Sequence, residues 1–485
     1  MQEKDPSISE GSQVILVDDE LKDDNINASG CCQTPRMCRF RSDRTVGVIS
    51  SLWHLVTGIE RAMIIPTLWL YLEKLEKGSA EKWYGLVLGV FGLSVFLSAP
   101  VFGYLASQGI RVKMILIFSN ILEIIGNIVY LFANRPVQCF IGRFIAGLGV
   151  GAESSLYSDL VRVTKSVERT HYIIGLALGK ELGIVIGPIL TLIFAKVDFQ
   201  LFDHDVTVLN APGLLLTIFW IVHTLLLFWY PITNAQGHLV DMSQVKGAEF
   251  ILEKSIRNTV LNPGDSQSRS CCSGLRIYGS YVLIVMLFTI FSANFNAMCL
   301  EAFLPALATT HYGWSELEIS YTYIGVFCVL IISTIIFFLI TKNLDDRNSL
   351  LSAFFVMGIA YIIMIIGMIV MKYTEEKKTV IIISLIAVAV HSASMPGVIT
   401  LPESLYSKLA PIEDVERAQT ISRLIVNFSL FVGLYMGGSL SFIPTVLSTI
   451  MAILSFLPMT LILVKYNKFK TDCYSNVAEI PIPPN

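Results

Sequence analysis

Glu60 and Arg61 stand side by side in the middle of a long apolar stretch. Adjacent residues of a helix do not face each other, so a helix there would aim one at a cavity and the other at a neighbouring element. An embedded acid can carry a proton or hold a cation. A guanidinium, with its fixed fork of donors, can take an anion or a carboxylate. The same reasoning selects Arg143, the pair Lys180 and Glu181, Glu301, and His391, each set among apolar residues. A histidine in such a place can change charge in the endosomal pH range. Each has a bland reading as well: Arg143 tied to Glu60, Lys180 bridged to another helix, Glu301 wetted near a helix end, His391 neutral and hydrogen-bonded. Arg423 is expected to snorkel.

These charges are informative because their surroundings read as lipid. The chain has 485 residues, of which 54% are hydrophobic and only 15% charged, against about 25% charged in soluble proteins. A charge at the centre of a bilayer costs at least ~2.5 kcal/mol, so those present line a cavity or pair up. A crossing takes about 20 apolar residues as helix, because lipid satisfies no backbone hydrogen bond. Scanning for such runs gives twelve, at roughly 46–71, 83–106, 114–134, 137–160, 171–196, 211–231, 277–304, 318–341, 348–371, 379–403, 418–441 and 443–465. The reading is therefore an all-α membrane protein, with twelve transmembrane helices in two six-helix bundles.

The one long internal gap divides the runs six and six. The expected organisation is a polar tail at 1–44, a bundle at 45–231, a cytosolic linker at 232–275, a second bundle at 276–466 and a tail at 467–485. Residues 247–257 could form a surface helix. Basic residues such as Arg36, Arg39, Arg41, Arg111, Lys113, Lys342, Arg347, Lys465 and Lys468 fall on one side if both termini are cytosolic. The halves echo each other. Val167-Glu168-Arg169 precedes the fifth run and Val415-Glu416-Arg417 the eleventh, about half the chain apart. Glu60 precedes Pro66 in the first run, and Glu301 precedes Pro305 in the seventh. Repeated halves rocking about a central site are a transporter architecture.

Other chemistry is not expected. A net charge of −3 offers nothing to a nucleic acid. No Cys-x-x-Cys pair or His-rich tract suggests a metal, and no cofactor is expected. The loops hold no nucleophile–base set, and there is no phosphate-binding loop for an ATP-driven pump, so an enzyme is not expected. Cys31, Cys32, Cys271 and Cys272 read as free thiols or acylation sites. Asn27-Ala28-Ser29 is expected to be cytosolic and unmodified. Gly175, Gly179, Gly183 and Gly187 recur every four residues, a smooth stripe for close helix approach.

Several motifs carry a resemblance to the major facilitator superfamily, over about 44–466. The loop Gly103-Tyr104-Leu105-Ala106-Ser107-Gln108-Gly109-Ile110-Arg111-Val112-Lys113 resembles the family's glycine-acid-basic motif, with Ser107 where the acid usually stands. Asp345-Asp346-Arg347 occupies the equivalent turn of the second half. Arg143 to Gly151, including Gly147, resembles the family's arginine-plus-glycine motif. Gly187-Pro188 resembles the antiporter motif without its trailing glycines. The resemblance implies a first helix lining a central cavity, glycines that serve packing and gating, and third and sixth helices at the back, where Glu123 and His223 would be structural. Within the superfamily the first six runs look similar to the lysosomal ceroid-lipofuscinosis protein seven family. That implies an endosomal or lysosomal membrane and an anionic substrate.

The function expected is secondary active transport of a small solute by alternating access, with a proton gradient acting through Glu60, Glu301 or His391. A passive anion channel or facilitator on the same fold, a non-transporting receptor, and a plasma-membrane location stay open. The expected partners are the solute, the lipid bilayer and sorting adaptors, the last recognising Tyr474-Ser475-Asn476-Val477 in the tail.

Overall fold

The computed structural model describes residues 35–163, 166–196, 198–202, 204–230, 280–341, 345–373, 377–410 and 415–469. The linker 232–275 with its expected helix, the four polar-segment cysteines, Asn27, and the tail motif of Tyr474 and Val477 lie outside these residues.

Helices dominate, as a lipid solvent requires. The first half has α1 (Pro35–Leu75), α2 (Ala80–Ser107), α3 (Val112–Leu131), α4 (Pro136–Val150), α5 (Glu153–Val163), α6 (Ser166–Ile193) and α7 (Ala211–Leu226). The second has α8 (Tyr281–Leu307), α9 (Glu316–Thr341), α10 (Asp346–Tyr373), α11 (Lys377–Leu409), α12 (Val415–Ser439) and α13 (Pro444–Val464). Among the described residues, 11 helices are long and apolar enough to cross a membrane. The fourth expected run is the one broken in two. α4 has 15 residues and α5 has 11, with a turn at Gly151-Ala152 between them. Gly147, Gly149 and Gly151 weaken the helix there, each worth up to about 1 kcal/mol against alanine.

Local chemistry sets the ends. Pro136 opens α4, where a missing N–H costs nothing, and the Gln138 side chain accepts from the backbone N–H of Asn134 and Arg135. Gly109 turns the chain between α2 and α3 with φ of 87°, a conformation glycine adopts freely. Lys113 donates to the carbonyls of Phe228 and Tyr230 at 3.2 Å each, a cation beyond the C-terminus of α7, where the helix dipole favours one. In the second half Arg347 pairs with Asp345 at 2.5 Å and lies over the Tyr466 ring, and Lys408 reaches Asp346 at 2.5 Å. These contacts join the start of α10 to the ends of α11 and α13.

Among the described residues, one element is a β-hairpin. Asp198–Leu201 (β1) pairs antiparallel with His204–Thr207 (β2), in register Asp198 to Thr207 and Leu201 to His204. Asn210 fastens this hairpin, accepting from Thr207 N at 2.8 Å and donating to the carbonyls of Asp205 and Leu131. Val206 is buried against Leu131 and Ala211.

Besides the small cluster under the hairpin, the apolar interior of the described residues has two large parts. One holds residues between Val46 and Tyr230, joined by Ala302, Ala306 and Leu434; the other runs from Leu283 to Phe469. The strongest packing across them is α2 on α12. A Cβ on Gly92 would stand 2.6 Å from Phe431 Cα, and one on Gly89 2.8 Å from Tyr435 Cβ, so these helices touch backbone to backbone. α12 also closes on α8, with Gly433 against Met298 and Phe295. On the outside, Ile331, Ile332, Ile335 and Leu339 of α9 are exposed, an apolar face that lipid covers.

Candidate functional site

Three charged groupings lie inside the bundle, and α1 contributes to each. Helical rise places His54 about 10 Å along α1 from Arg61.

The first joins the halves. Arg61 Nε donates to Glu301 Oε1 at 2.7 Å, and its Nη2 pairs with the other carboxylate oxygen. Arg61 lies on α1 and Glu301 on α8, the two helices in each of which a Glu precedes a Pro. Both side chains keep some exposure, 19% and 15%. Tyr323 donates to the Glu301 carbonyl at 2.7 Å, and Tyr84 of α2 donates to the adjacent Ala302 carbonyl at 3.0 Å. Glu181, exposed on α6, stands within electrostatic reach of Arg61. Glu301 is thus held in a specific pair rather than wetted at a helix end.

The second is wholly buried in the first half. Arg143 Nη1 donates to Glu60 Oε1 at 2.6 Å, with side-chain exposures of 3% and 1%. Trp220 Nε1 donates to Glu60 Oε2 at 3.0 Å, and Asn127 Nδ2 lies 3.4 Å from Oε1. The guanidinium also sits 4.4 Å from the centre of the Phe91 ring, a cation–π contact. Glu60 and Arg61 therefore face different elements, as neighbours on a helix must. Glu123 lies beside both Glu60 and Arg143, fully buried, and its carboxyl oxygens accept no hydrogen bond from the described residues. His223 bridges Asn120 and the Ile49 carbonyl at 2.9 and 3.2 Å. Glu123, expected as a structural residue at the back of the bundle, adds a second acid to this grouping.

In the third, the bridge expected of Lys180 meets partners that the sequence did not single out. Lys180 Nζ lies 3.2 and 3.3 Å from the two carboxylate oxygens of Glu153, the first residue of α5. His54 Nε2 faces the same carboxylate at 3.6 Å. Tyr157 stacks edge-on to His54, and Arg423 of α12 lies 5.2 Å from the Tyr157 ring centre. Glu403 is within electrostatic reach of Arg423. Arg423 is exposed, and its guanidinium has the Tyr157 ring and these acids as neighbours.

His391 stands apart. It is buried, with Nδ1 2.9 Å from the Tyr361 hydroxyl. That partner is a hydroxyl and not a carboxylate. The glycine stripe of α6 lies on α1: Gly183 meets Ile59 and Gly58, and Gly187 meets Ala62. Pro188 is buried within α6. Gly147 and Gly151 face α2 at Phe91 and Ala99, while Gly149 faces Glu123. Among the described residues no group of three or more His, Cys, Asp or Glu could hold a metal ion.

A bundle of 11 membrane-length helices among the described residues, with ion pairs embedded in it, defines a multi-pass membrane protein. Residues 51–411 match the family model of the Major Facilitator Superfamily, and the chain belongs to that superfamily. It is 19% identical over 324 residues to major facilitator superfamily domain-containing protein 8 of Xenopus laevis, a match covering 64% of this chain and 60% of that relative. The crystal structure of a D-xylose-proton symporter superposes with a TM-score of 0.63 at 12% identity, covering 85% of this chain and 97% of that one. A bacterial homologue of the human lysosomal transporter Spinster, inward-facing and unoccupied, gives 0.61 at 13%, covering 88% and 98%. At these identities the likeness is one of fold.

Proposed function

We propose that this protein is a proton-coupled secondary transporter of a small anionic solute. It works by alternating access between half-bundles 45–231 and 276–466, joined by the cytosolic linker 232–275, with both termini cytosolic. The observation that carries the proposal is the Arg61–Glu301 pair. It bridges the two halves on their equivalent helices, beside the Tyr84 contact that closes α2 onto α8. Separating the halves there requires this pair to part. A proton arriving at Glu301 removes its charge and releases Arg61, so proton uptake and opening become one event. Glu60 is the weaker candidate for the same role, because Arg143, Trp220 and Asn127 already supply its carboxylate with donors. His391 is weaker too, having no carboxylate partner to release.

Anionic solutes are favoured by the cations held within the bundle, among them Lys180, with 34% of its side chain exposed. The likeness of the first six helices to the lysosomal ceroid-lipofuscinosis protein seven family supports an endosomal or lysosomal membrane. Tyr474 and Val477 would then serve sorting adaptors. The test is flux of chloride, phosphate or small carboxylates into proteoliposomes under an imposed pH gradient. Uptake should follow the gradient in the wild type and lose that dependence in Glu301→Gln. Anion flux indifferent to pH in the wild type would sink proton coupling, and no anion flux at all would sink the anionic solute.

A further inference from the structure

The His54 imidazole is fully buried, and its two nitrogens make opposite demands. Nδ1 lies 2.8 Å from the Ser50 carbonyl. A carbonyl only accepts, so Nδ1 carries a proton. In the neutral ring Nε2 is then a bare lone pair, and it faces the Glu153 carboxylate at 3.6 Å with no hydrogen-bond donor supplied to it by the described residues. Two acceptors cannot satisfy each other, whereas a second proton on Nε2 would make the contact an ion pair. The charged groups around the ring come from four other elements: Glu153 with Tyr157 on α5, Lys180 on α6, Glu403 on α11 and Arg423 on α12. Farther off, His223 on α7 reaches the Ile49 carbonyl of α1, and Asp159 on α5 accepts from Tyr230.

We infer that His54 is a proton switch for anion binding at Lys180. With His54 neutral, Glu153 has Lys180 as its near cation, and the three groups sum to zero charge. When Nε2 gains a proton, Glu153 has a second cationic partner and the triad carries one net positive charge. Lys180 can then turn its ammonium to an anionic group of the solute, with Arg423 nearby as a second cation. Proton and anion favour each other's binding by the same factor, as linkage requires. The anion half of this inference rests on the proposed transport reading; the proton half rests on the His54 geometry alone.

The test separates the two. Nitrogen NMR on ¹⁵N-histidine-labelled protein in lipid nanodiscs reads the protonation of each ring nitrogen. Seven histidines give few signals, and His54→Gln assigns the one in question. If that variant does not fold, the signal displaced in Tyr157→Phe identifies it. The expected His54 signal shows both nitrogens protonated at acidic pH and only Nδ1 protonated at alkaline pH. Inorganic phosphate should carry the two-proton form to higher pH, and Glu153→Gln should abolish it over the same range. A His54 that stays neutral at every pH, or that protonates Nε2 in place of Nδ1, overturns the switch even if flux follows pH. A titrating His54 that phosphate and chloride leave unmoved overturns its link to anions, and leaves proton-coupled transport to be judged by flux.

Discussion

Among single residues, the Glu60–Arg143 pair makes the sharpest prediction. Removing one partner of a buried pair leaves an uncompensated charge and costs about 3–5 kcal/mol. Arg143→Ala should therefore lower the thermal unfolding temperature of the purified protein markedly. Glu60→Gln should do the same and also shift Trp220 fluorescence, because the indole N–H donates to that carboxylate. Glu123→Gln is expected to behave differently. The glutamine removes a potential like charge and offers Glu60 a donor, so its stability should stay within about 1 kcal/mol of the wild type. A large loss in Glu123→Gln would mean that its carboxyl does more than pack. The sequence exposed Glu60 and Arg143 because a charge is conspicuous in an apolar run. It hid their neighbours. His54 lies between Trp53 and Leu55, and Glu153 stands at the edge of a serine-containing stretch, so neither broke a pattern. Their meaning comes from partners on other helices, which no local spacing announces.

The elements themselves were far more legible, since lipid imposes one length and one composition on each crossing. What stayed hidden was how closely pairs of helices approach. The stripe on α6 repeats every four residues and could be read, whereas the glycines of α2 and α12 take their meaning from each other across the fold. Gly92→Ala is expected to destabilise the protein by about 1–3 kcal/mol, the usual range for overpacking, because Phe431 offers backbone and no flexible side chain there. Gly325 of α9 is the control, with nothing within 4 Å of its would-be Cβ. Gly325→Ala should stabilise slightly, by about 0.5–1 kcal/mol from helix propensity. Unfolding of both variants in the same detergent checks the contrast. Equal behaviour would argue against a backbone-close α2–α12 contact. The hairpin at 198–207 also escaped the sequence reading, because four-residue strands between two long apolar helices leave little alternation to detect.

For the molecule as a whole, Arg61–Glu301 offers an exchange test. If the pair holds the halves together as proposed, Arg61→Glu alone places two acids face to face and should abolish coupled flux. Glu301→Arg added to it restores an opposite-charge pair and should recover a measurable part of that flux. A double variant as inactive as either single change would assign the two residues separate roles. The partners lie 240 positions apart, yet the echo between Glu60–Pro66 and Glu301–Pro305 had already marked their helices as equivalent. Here the internal repeat told more than any local motif, because equivalent helices of two repeated halves meet at the centre.

The turn at Gly151-Ala152 has a consequence for parity. It cuts one crossing into two helices that are each too short to span a bilayer, so a count made from helix length alone comes out odd. An odd number of crossings puts the two ends of a chain on opposite faces of a membrane, and an even number returns it to the face it left. With α4 and α5 taken together as one crossing the number is even, and reporters fused at Met1 and at Asn485 are expected to light up in one compartment.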